Sequence, residues 1–222
     1  MRSPLFTHRK QAGEALAAAL GAYADRPDVL VLALPRGGVP VGFQVAEALH
    51  APLDVFIVRK LGVPGQPEYA MGAIASGGVR VLNDELTRQL RIPQGAIEQV
   101  ARAELRELQR REHLYRADRP APDVRGRTVL IVDDGLATGS TMLAAVRALR
   151  KQQPARIVVA VPLAAHDTCQ ALRREADEVV CLETPDPFVA VGLWYADFGQ
   201  TTDREVQELL VRARSDAAAH GT

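Results

Sequence analysis

The chain contains 222 residues, and its 27 basic and 27 acidic residues give a formal net charge of zero. With 47% hydrophobic and 24% charged residues, the composition is that of a folded globular protein, which excludes wholesale disorder. The charge balance argues against nucleic acid or another polyanion binding across the whole surface, and it leaves room for a local anion site. The length suits one domain, which we predict over residues 1–222.

The first part of the chain alternates between helical and strand patterns. An alanine-rich helix is predicted over 10–24, a buried strand over 29–34, a helix over 41–49 and a second strand over 53–58. Repeated alternation of this kind predicts a parallel sheet with helices on its faces.

The alternation stops after the second predicted strand. Residues 61–78 are rich in Gly and Pro, 79–82 has the pattern of a short strand, and 93–117 has that of a long charged helix. We predict that residues 60–126 form an insertion, a flap with a helical hood, which covers one end of the sheet.

Regular alternation then returns. Strands are predicted over 128–132, 156–161 and 179–182, and helices over 140–153, 167–174 and 203–214. The predicted fold class is therefore α/β, with a parallel-sheet core, flanking helices and the inserted flap and hood.

Three features bear on where the protein resides. Cys169 and Cys181 are the only cysteines and lack a CxxC spacing, so we interpret them as reduced thiols of a cytoplasmic protein. No apolar run approaches the roughly 18 residues of a membrane span, so no membrane contact is predicted. Residues 8–24 mimic a secretion signal, but Glu14 and the dominance of alanine over leucine favour a packed helix.

The stretch 129–141 carries the most chemical information. A strand pattern ends at two adjacent carboxylates, Asp133 and Asp134, which we call the acidic pair. A run of small residues follows and leads into a predicted helix, so its backbone N–H groups, its hydroxyls and the helix N-terminus can surround a phosphate. This phosphate cup consists of Ala137, Thr138, Gly139, Ser140 and Thr141.

Other phosphate motifs do not match this stretch. A P-loop needs GxxxxGK[ST], whereas Gly135 and Gly139 are four residues apart and no lysine follows. The sequences GxGxxG, GxSxG and HExxH are absent, which removes the common dinucleotide, hydrolase and zinc-protease interpretations. An ordinary turn followed by a helix cap remains the alternative, and it leaves the second acid unexplained.

The stretch resembles the phosphoribosyl-pyrophosphate signature of type I phosphoribosyltransferases, in which hydrophobic residues precede two acids, two spacers and a small Thr-Gly-Ser-Thr cup. The resemblance of the core covers about two thirds of the chain. It implies that Asp133 and Asp134 contact the ribose hydroxyls and help to organise Mg²⁺, directly or through water. It also implies that the phosphate cup holds the 5-phosphate of phosphoribosyl pyrophosphate.

Two further segments fit the same family. Residues 34–38, the glycine loop, follow the first predicted strand, as does the family's pyrophosphate-binding loop; Arg36, Gly37 and Gly38 are its candidate ligands, and an ordinary Pro-Gly turn is the alternative. Arg59 and Lys60 end the second predicted strand, so they are expected at the same sheet edge and are assigned to pyrophosphate by resemblance.

Candidates on the acceptor side are less specific. Glu68 lies where the family has its mobile catalytic loop and is a candidate catalytic residue, with an ordinary surface loop as the alternative. Trp194 and Tyr195 resemble the region that stacks the acceptor base in purine-type members, with core packing as the alternative. Some purine-salvage members carry an acid at the position of Ala137, so this chain lacks that group; Glu68 and Asp197 are candidates to replace it.

The resemblance implies a magnesium-dependent enzyme that moves ribose 5-phosphate from phosphoribosyl pyrophosphate to a small nitrogenous, purine-like base and releases pyrophosphate. It also implies a homodimer. Two alternatives stay open: a regulator that senses phosphoribosyl pyrophosphate without transfer, and a phosphosugar-binding enzyme of different chemistry.

Overall fold

A computed structural model describes residues 3–117 and 119–220, with side chains as far as residue 216. Residues 1–2, 118 and 221–222 of the predicted domain lie outside the described residues. The strands are β1 (Val29–Ala33), β2 (Leu53–Val55), β3 (Val58–Val63), β4 (Gln66–Ala75), β5 (Val79–Leu82), β6 (Thr128–Val132), β7 (Arg156–Leu163) and β8 (Glu178–Glu183). The α-helices are α1 (Arg9–Ala19), α2 (Gly38–Leu49), α3 (Asp84–Gln89), α4 (Gln94–Arg116), α5 (Ser140–Lys151), α6 (His166–Leu172) and α7 (Asp203–His220).

The core is a five-stranded parallel sheet in the order β2-β1-β6-β7-β8. Every residue of β1 and of β6 is buried, as expected for parallel strands that are covered on both faces. Alternate residues serve the two sides: Val29 and Val31 join one hydrophobic cluster, whereas Leu30 and Leu32 join the other. The predicted α/β fold class is confirmed.

Strand order places a cleft at one point of the sheet. The chain leaves β1 through α2 and returns at β2 on one side, whereas it leaves β6 through α5 and returns at β7 on the other side. The loops after β1 and β6 therefore diverge from adjacent strands, which is the topological switch point where open α/β sheets bind ligands.

The Gly- and Pro-rich segment forms strands where the sequence shows no clear pattern. β3, β4 and β5 form a separate antiparallel sheet in that order, and α3 and α4 follow it before the chain enters β6. The turn between β3 and β4 contains Gly65 at φ +81°, and the end of β4 is buried at Met71, Ala73, Ile74 and Ala75.

The cysteine prediction is wrong. Cys169 of α6 and Cys181 of β8 are joined by a disulfide, with Cα atoms 6.9 Å apart. The two residues meet because α6 packs against β8 after the chain leaves β7, which a separation of 12 residues without a CxxC motif does not reveal. Reduced thiols therefore no longer support a cytoplasmic location.

No helix in residues 3–117 or 119–220 combines the length and the apolar character that crossing a membrane requires.

Candidate functional site

The candidate site is a cavity of about 360 Å³ at the carboxyl edge of the parallel sheet, where the loops after β1 and β6 diverge. Its lining residues are Arg9, Pro35, Arg36, Gly37, Asp133, Asp134, Phe198, Gln200 and Thr201. The glycine loop and the acidic pair, which the sequence analysis identified separately, thus share one cavity.

Close packing joins the glycine loop to the acidic pair. The N–H of Leu34 donates to the Val132 carbonyl at 2.9 Å and holds the start of the loop against the end of β6. A Cβ at Gly37 would overlap the Asp134 carboxylate, and a Cβ at Gly38 would lie 2.8 Å from the Val132 carbonyl oxygen. Gly37 has an ordinary helical φ of −60°, so this position needs glycine for close approach and not for backbone freedom.

The two carboxylates have different surroundings. Asp133 is partly exposed to the cavity, and its Oδ1 accepts the Asp134 N–H at 2.9 Å. Asp134 is buried, and its backbone carbonyl accepts the Tyr195 hydroxyl at 2.6 Å. Burial raises the pKa of both carboxyl groups, and the neighbouring Asp134 charge raises the pKa of Asp133 further.

Arg9 brings a cation to the acidic pair from the first turn of α1. Its Nε lies 2.7 Å from Asp134 Oδ2, and its Nη1 donates to the Gly199 carbonyl at 2.7 Å. Its guanidinium also lies over the ring of Phe198, with Cζ 3.9 Å from the ring centroid. The contact with Asp134 lowers the pKa of that carboxyl and partly opposes the effect of burial.

Arg36 stands at the mouth of the cavity. Its side chain is 39% exposed, and its Nη1 lies 3.9 Å from Asp203 Oδ1 at the start of α7. Such a long contact in an exposed position is weak, so the guanidinium is free to turn toward an anion. The peptide bond between Pro35 and Arg36 is cis.

The phosphate cup follows the acidic pair and opens α5. Gly139 precedes the helix in the left-handed conformation, at φ +65°, and no side chain caps the helix. The first N–H groups of α5 therefore have no partner within the helix, which suits them to a phosphate. Thr168 Oγ1 donates to the Ala137 carbonyl at 2.6 Å, so α6 braces the cup.

Arg59 and Lys60 lie elsewhere than the sequence predicts. The second strand of the parallel sheet ends at Val55, and both residues belong to β3 of the antiparallel sheet. Adjacent side chains of a strand point to opposite faces, so the two do not form one cationic patch. Arg59 pairs with Glu104 of α4 at 2.7 Å, and Lys60 is exposed.

The acceptor-side candidates have mixed surroundings. Glu68 lies on the exposed outer part of β4 and is not among the residues that line the cavity. Trp194 and Tyr195 are buried in a small cluster with Phe6, and Tyr195 stacks on Phe198 with ring centroids 5.0 Å apart. Phe198 is the aromatic residue that reaches the cavity wall. The roles predicted for Glu68, Trp194 and Tyr195 stay predictions.

Sequence reasoning missed Arg9, Gln200 and Thr201 as cavity residues. Arg9 stands 125 positions before its partner Asp134, and its neighbourhood has the pattern of a packed helix that mimics a secretion signal. Gln200 and Thr201 belong to no motif. The basic run at residues 8–10, ahead of an alanine-rich helix, is the one local signal in this region.

The chemistry of the acidic pair fits a magnesium ion. Carboxylate oxygens are the ligands that Mg²⁺ prefers, together with substrate oxygens and water. Asp133 offers an oxygen to the cavity, whereas Asp134 Oδ2 is bound by Arg9. The described residues contain no group of three or more His, Cys, Asp or Glu side chains suited to a metal, so a bound ion would draw most of its ligands from substrate and water.

Comparisons with known proteins agree with this architecture. A family model described as "Phosphoribosyl transferase domain" matches residues 6–197. Two proteins from strains of Mycobacterium tuberculosis, each named "Putative phosphoribosyl transferase", are 49% identical over 217 residues, which is 98% of this chain and 49% of theirs. The crystal structure of the protein TT1426 from Thermus thermophilus is 42% identical, with a TM-score of 0.84 over 96% of this chain and 99% of that one.

The fold and the paired acidic and glycine-loop segments define an α/β protein of the type I phosphoribosyltransferase class. The chain belongs to the phosphoribosyl transferase domain family. It spans about half the length of the curated relatives that it matches.

Proposed function

We propose that this chain transfers ribose 5-phosphate from phosphoribosyl pyrophosphate to a nitrogenous base, purine-like in size, and releases pyrophosphate. The observation that carries the proposal is the contact of the glycine loop with the acidic pair in one cavity, beside an uncapped helix N-terminus that can accept a phosphate. A ribose held at the acidic pair would have its two phosphate-bearing ends directed toward separate anion sites.

Each site has a separate part in the reaction. The phosphate cup binds the 5-phosphate through backbone N–H groups and hydroxyls. Arg36 and the amide of Gly37 bind the pyrophosphate, whereas the Gly38 N–H donates to the Leu34 carbonyl at 3.1 Å and holds the loop closed. When the bond between C1 and pyrophosphate breaks, its electron pair leaves with the pyrophosphate and the ribose ring becomes positively charged, as in glycosyl transfer.

The acidic pair then acts on the ribose. Carboxylates at Asp133 and Asp134 accept hydrogen bonds from the ribose hydroxyls, and their negative charge favours the cationic ring. The acceptor nitrogen attacks C1 and gives up its proton, so the nucleotide and pyrophosphate are the products. Asp133 would be the open carboxylate that holds a Mg²⁺ ion, which would supply positive charge for the pyrophosphate oxygens.

The acceptor is assigned to the side of the cavity formed by Phe198, Gln200 and Thr201. The two polar side chains can bond the edge of a planar base, and the edge of the Phe198 ring can contact it. The test is pyrophosphate release with phosphoribosyl pyrophosphate, magnesium and a panel of purines, pyrimidines and simple amines. Release with purines above the other acceptors supports the proposal, and turnover without pyrophosphate indicates a different phosphosugar chemistry.

Replacing Asp134 by asparagine is expected to lower magnesium-dependent donor binding or turnover by at least about tenfold, which corresponds to about 1.4 kcal/mol. The amide keeps the shape of the side chain and loses the charge that faces the ribose and Arg9. Asp28→Asn is the matched control, because Asp28 precedes β1 at the opposite edge of the same sheet. Unchanged donor affinity and rate in Asp134→Asn would remove the acidic pair from the proposed site.

Donor binding in the presence of magnesium is expected to weaken as the pH falls, with a midpoint above the ordinary aspartate pKa of about 3.9. Burial raises the pKa of Asp133 and Asp134, so these groups take up protons at a higher pH than exposed aspartates do. A protonated carboxyl is a poor partner for a cation. Calorimetric titrations with phosphoribosyl pyrophosphate from about pH 4 to pH 8 measure the midpoint, and a flat profile across that range contradicts the assignment.

A second candidate function is sensing of the donor without transfer. The observation in its favour is the packing of the aromatic residues, because Phe198 stacks on Tyr195 and lies under Arg9, which leaves little open aromatic surface for a base. Tight donor binding with no pyrophosphate release across the whole panel would favour this regulator. A homodimer and a cytoplasmic location stay predictions for either function.

A further inference from the structure

Arg9 is a cation inside the cavity, and the proposed reaction assigns it no role. Its side chain is 12% exposed, and its guanidinium contacts Asp134, the Gly199 carbonyl and the face of Phe198. Three contacts of different kinds fix one side chain in one position. An arginine held in this way beside a buried carboxylate is a built feature of the site and not a surface ion pair.

The fold itself presents Arg9 to the cavity. Residues 5–7 run beside residues 194–197: the Phe6 N–H donates to the Trp194 carbonyl at 3.0 Å, and the Ala196 N–H donates to the Phe6 carbonyl at 2.9 Å. His8 then caps α1 by accepting the Gln11 N–H, and Arg9 is the first residue of the helix. The position of Arg9 is therefore set by the backbone on both sides of it.

A cation in the cavity offsets the negative charge of the acidic pair. An ionised acidic pair repels the phosphate groups of an incoming donor, and burial strengthens this repulsion because less water screens it. Arg36 is at the mouth, where it can meet pyrophosphate, whereas Arg9 lies directly on Asp134. Arg9 also lines the cavity, so its guanidinium can meet an oxygen of the ligand there.

We propose that Arg9 is a positioning residue that holds Asp134 and supplies positive charge to the donor site, so that phosphoribosyl pyrophosphate binding has a component that does not depend on magnesium. The proposal rests on the proposed function, since it concerns the donor of that reaction. Its consequence is that Asp133 and not Asp134 is the carboxylate open to a divalent cation in the donor-free protein. Removing the Arg9 charge makes donor binding depend more steeply on magnesium.

The test compares donor affinity with and without magnesium. Calorimetry with phosphoribosyl pyrophosphate is carried out on the wild type, Arg9→Gln and Arg9→Lys, in EDTA and in saturating magnesium. We expect Arg9→Gln to lose about tenfold or more in affinity in EDTA, the range for a hydrogen bond to a charged group, and clearly less in magnesium. Lysine restores the charge without the arginine geometry, so Arg9→Lys should recover part of the magnesium-independent affinity.

Two further measurements separate a charge effect from damage to the fold. Arg147→Gln is the matched control, because it removes an exposed arginine that pairs with Glu175 away from the cavity. Binding of Mn²⁺ to the donor-free protein, followed by electron paramagnetic resonance, should become tighter in Arg9→Gln because Asp134 is released. Thermal melting of each variant shows whether it is folded.

The outcomes are distinct. An equal loss of donor affinity with and without magnesium, or no loss in either, overturns the inference about Arg9. If Arg9→Gln does not fold, the test uses Arg9→Lys. Donor affinity of Arg9→Lys in EDTA within about threefold of the wild type supports the role of the Arg9 charge. Complete loss of donor binding by Arg9→Lys in EDTA overturns that role. A wild type that binds no phosphoribosyl pyrophosphate even in magnesium overturns the proposed function instead.

Discussion

Replacing Gly37 by alanine is expected to lower turnover about a hundredfold while the protein stays folded. The new Cβ would overlap the Asp134 carboxylate, so either the glycine loop or the carboxylate must move. A displacement of about 1 Å at a reacting centre costs on the order of a hundredfold in rate, and here it would move the proposed pyrophosphate site away from the proposed ribose site. Steady-state kinetics of pyrophosphate release, with melting temperature measured alongside, gives the result.

The control for this experiment is another glycine in a helix. Gly95 lies near the start of α4, and a Cβ at that position would meet no other atom within 4 Å. Gly95→Ala should therefore keep full activity and stay at least as stable as the wild type. If Gly37→Ala retains activity within about threefold, the contact between the glycine loop and the acidic pair does not limit the reaction.

The largest expected effect on stability follows from removal of Arg116. This side chain is 2% exposed at the end of α4, and it bonds Asp54 at 2.8 Å, Glu112 at 2.9 Å and the Val55 carbonyl. Arg116→Ala leaves a partly buried carboxylate and a carbonyl without their partner, which costs about 3 kcal/mol. For a chain of this size that corresponds to a fall of about 6–12 °C in melting temperature, measured by calorimetry or circular dichroism.

An exposed arginine on the same helix provides the comparison. Arg110 pairs with Glu107 at 2.8 Å, and its side chain is 63% exposed. Arg110→Ala should change the free energy of unfolding by less than about 1 kcal/mol, because water screens such a pair and the flexible side chain gains entropy when released. Similar losses in the two variants would show that burial of Arg116 adds nothing to its effect.

The parallel core could be predicted from the sequence because its signals are local. The strand at 128–132 was predicted with its observed limits, and the acidic pair follows it directly. Continuous apolar runs mark strands that are covered on both faces, and the break between two strands marks a loop at the sheet edge. The glycine loop could be identified for the same reason, because it follows the residues of β1 directly in the sequence.

Of the antiparallel sheet, β5 was predicted at its observed limits, residues 79–82, but β3 and β4 could not be predicted in the same way. Residues 53–58 have the composition of one strand, but the structure ends β2 at Val55 and begins β3 at Val58, which pairs with Ala75 of β4. In β4, Pro67 and Gly72 obscure the alternating pattern. Gly72 is needed because a side chain there would overlap the Val81 carbonyl of β5, and that requirement is visible only when the strands are paired.

Contacts between distant parts of the chain could not be predicted from local sequence patterns. Arg9 reaches Asp134 across 125 positions, and the disulfide joins residues whose spacing matches no motif. Arg59 shows the same limit: it was expected at the edge of the parallel sheet, but it lies in β3 and pairs with Glu104 of α4, and its role toward pyrophosphate stays a prediction. A cation in a sequence does not reveal its partner until the tertiary structure is known.

The pairing of residues 5–7 with residues 194–197 has a consequence for the order of assembly during translation. The ribosome completes β6 and the acidic pair well before it adds Gly199, whose carbonyl holds Arg9 from a distance of 190 positions along the chain. A nascent chain that ends before this point already contains the glycine loop and the phosphate cup and lacks one wall of the cavity. Affinity for phosphoribosyl pyrophosphate is therefore expected to be lower in a chain that ends before residue 199, because Arg9 then lacks one of its three contacts.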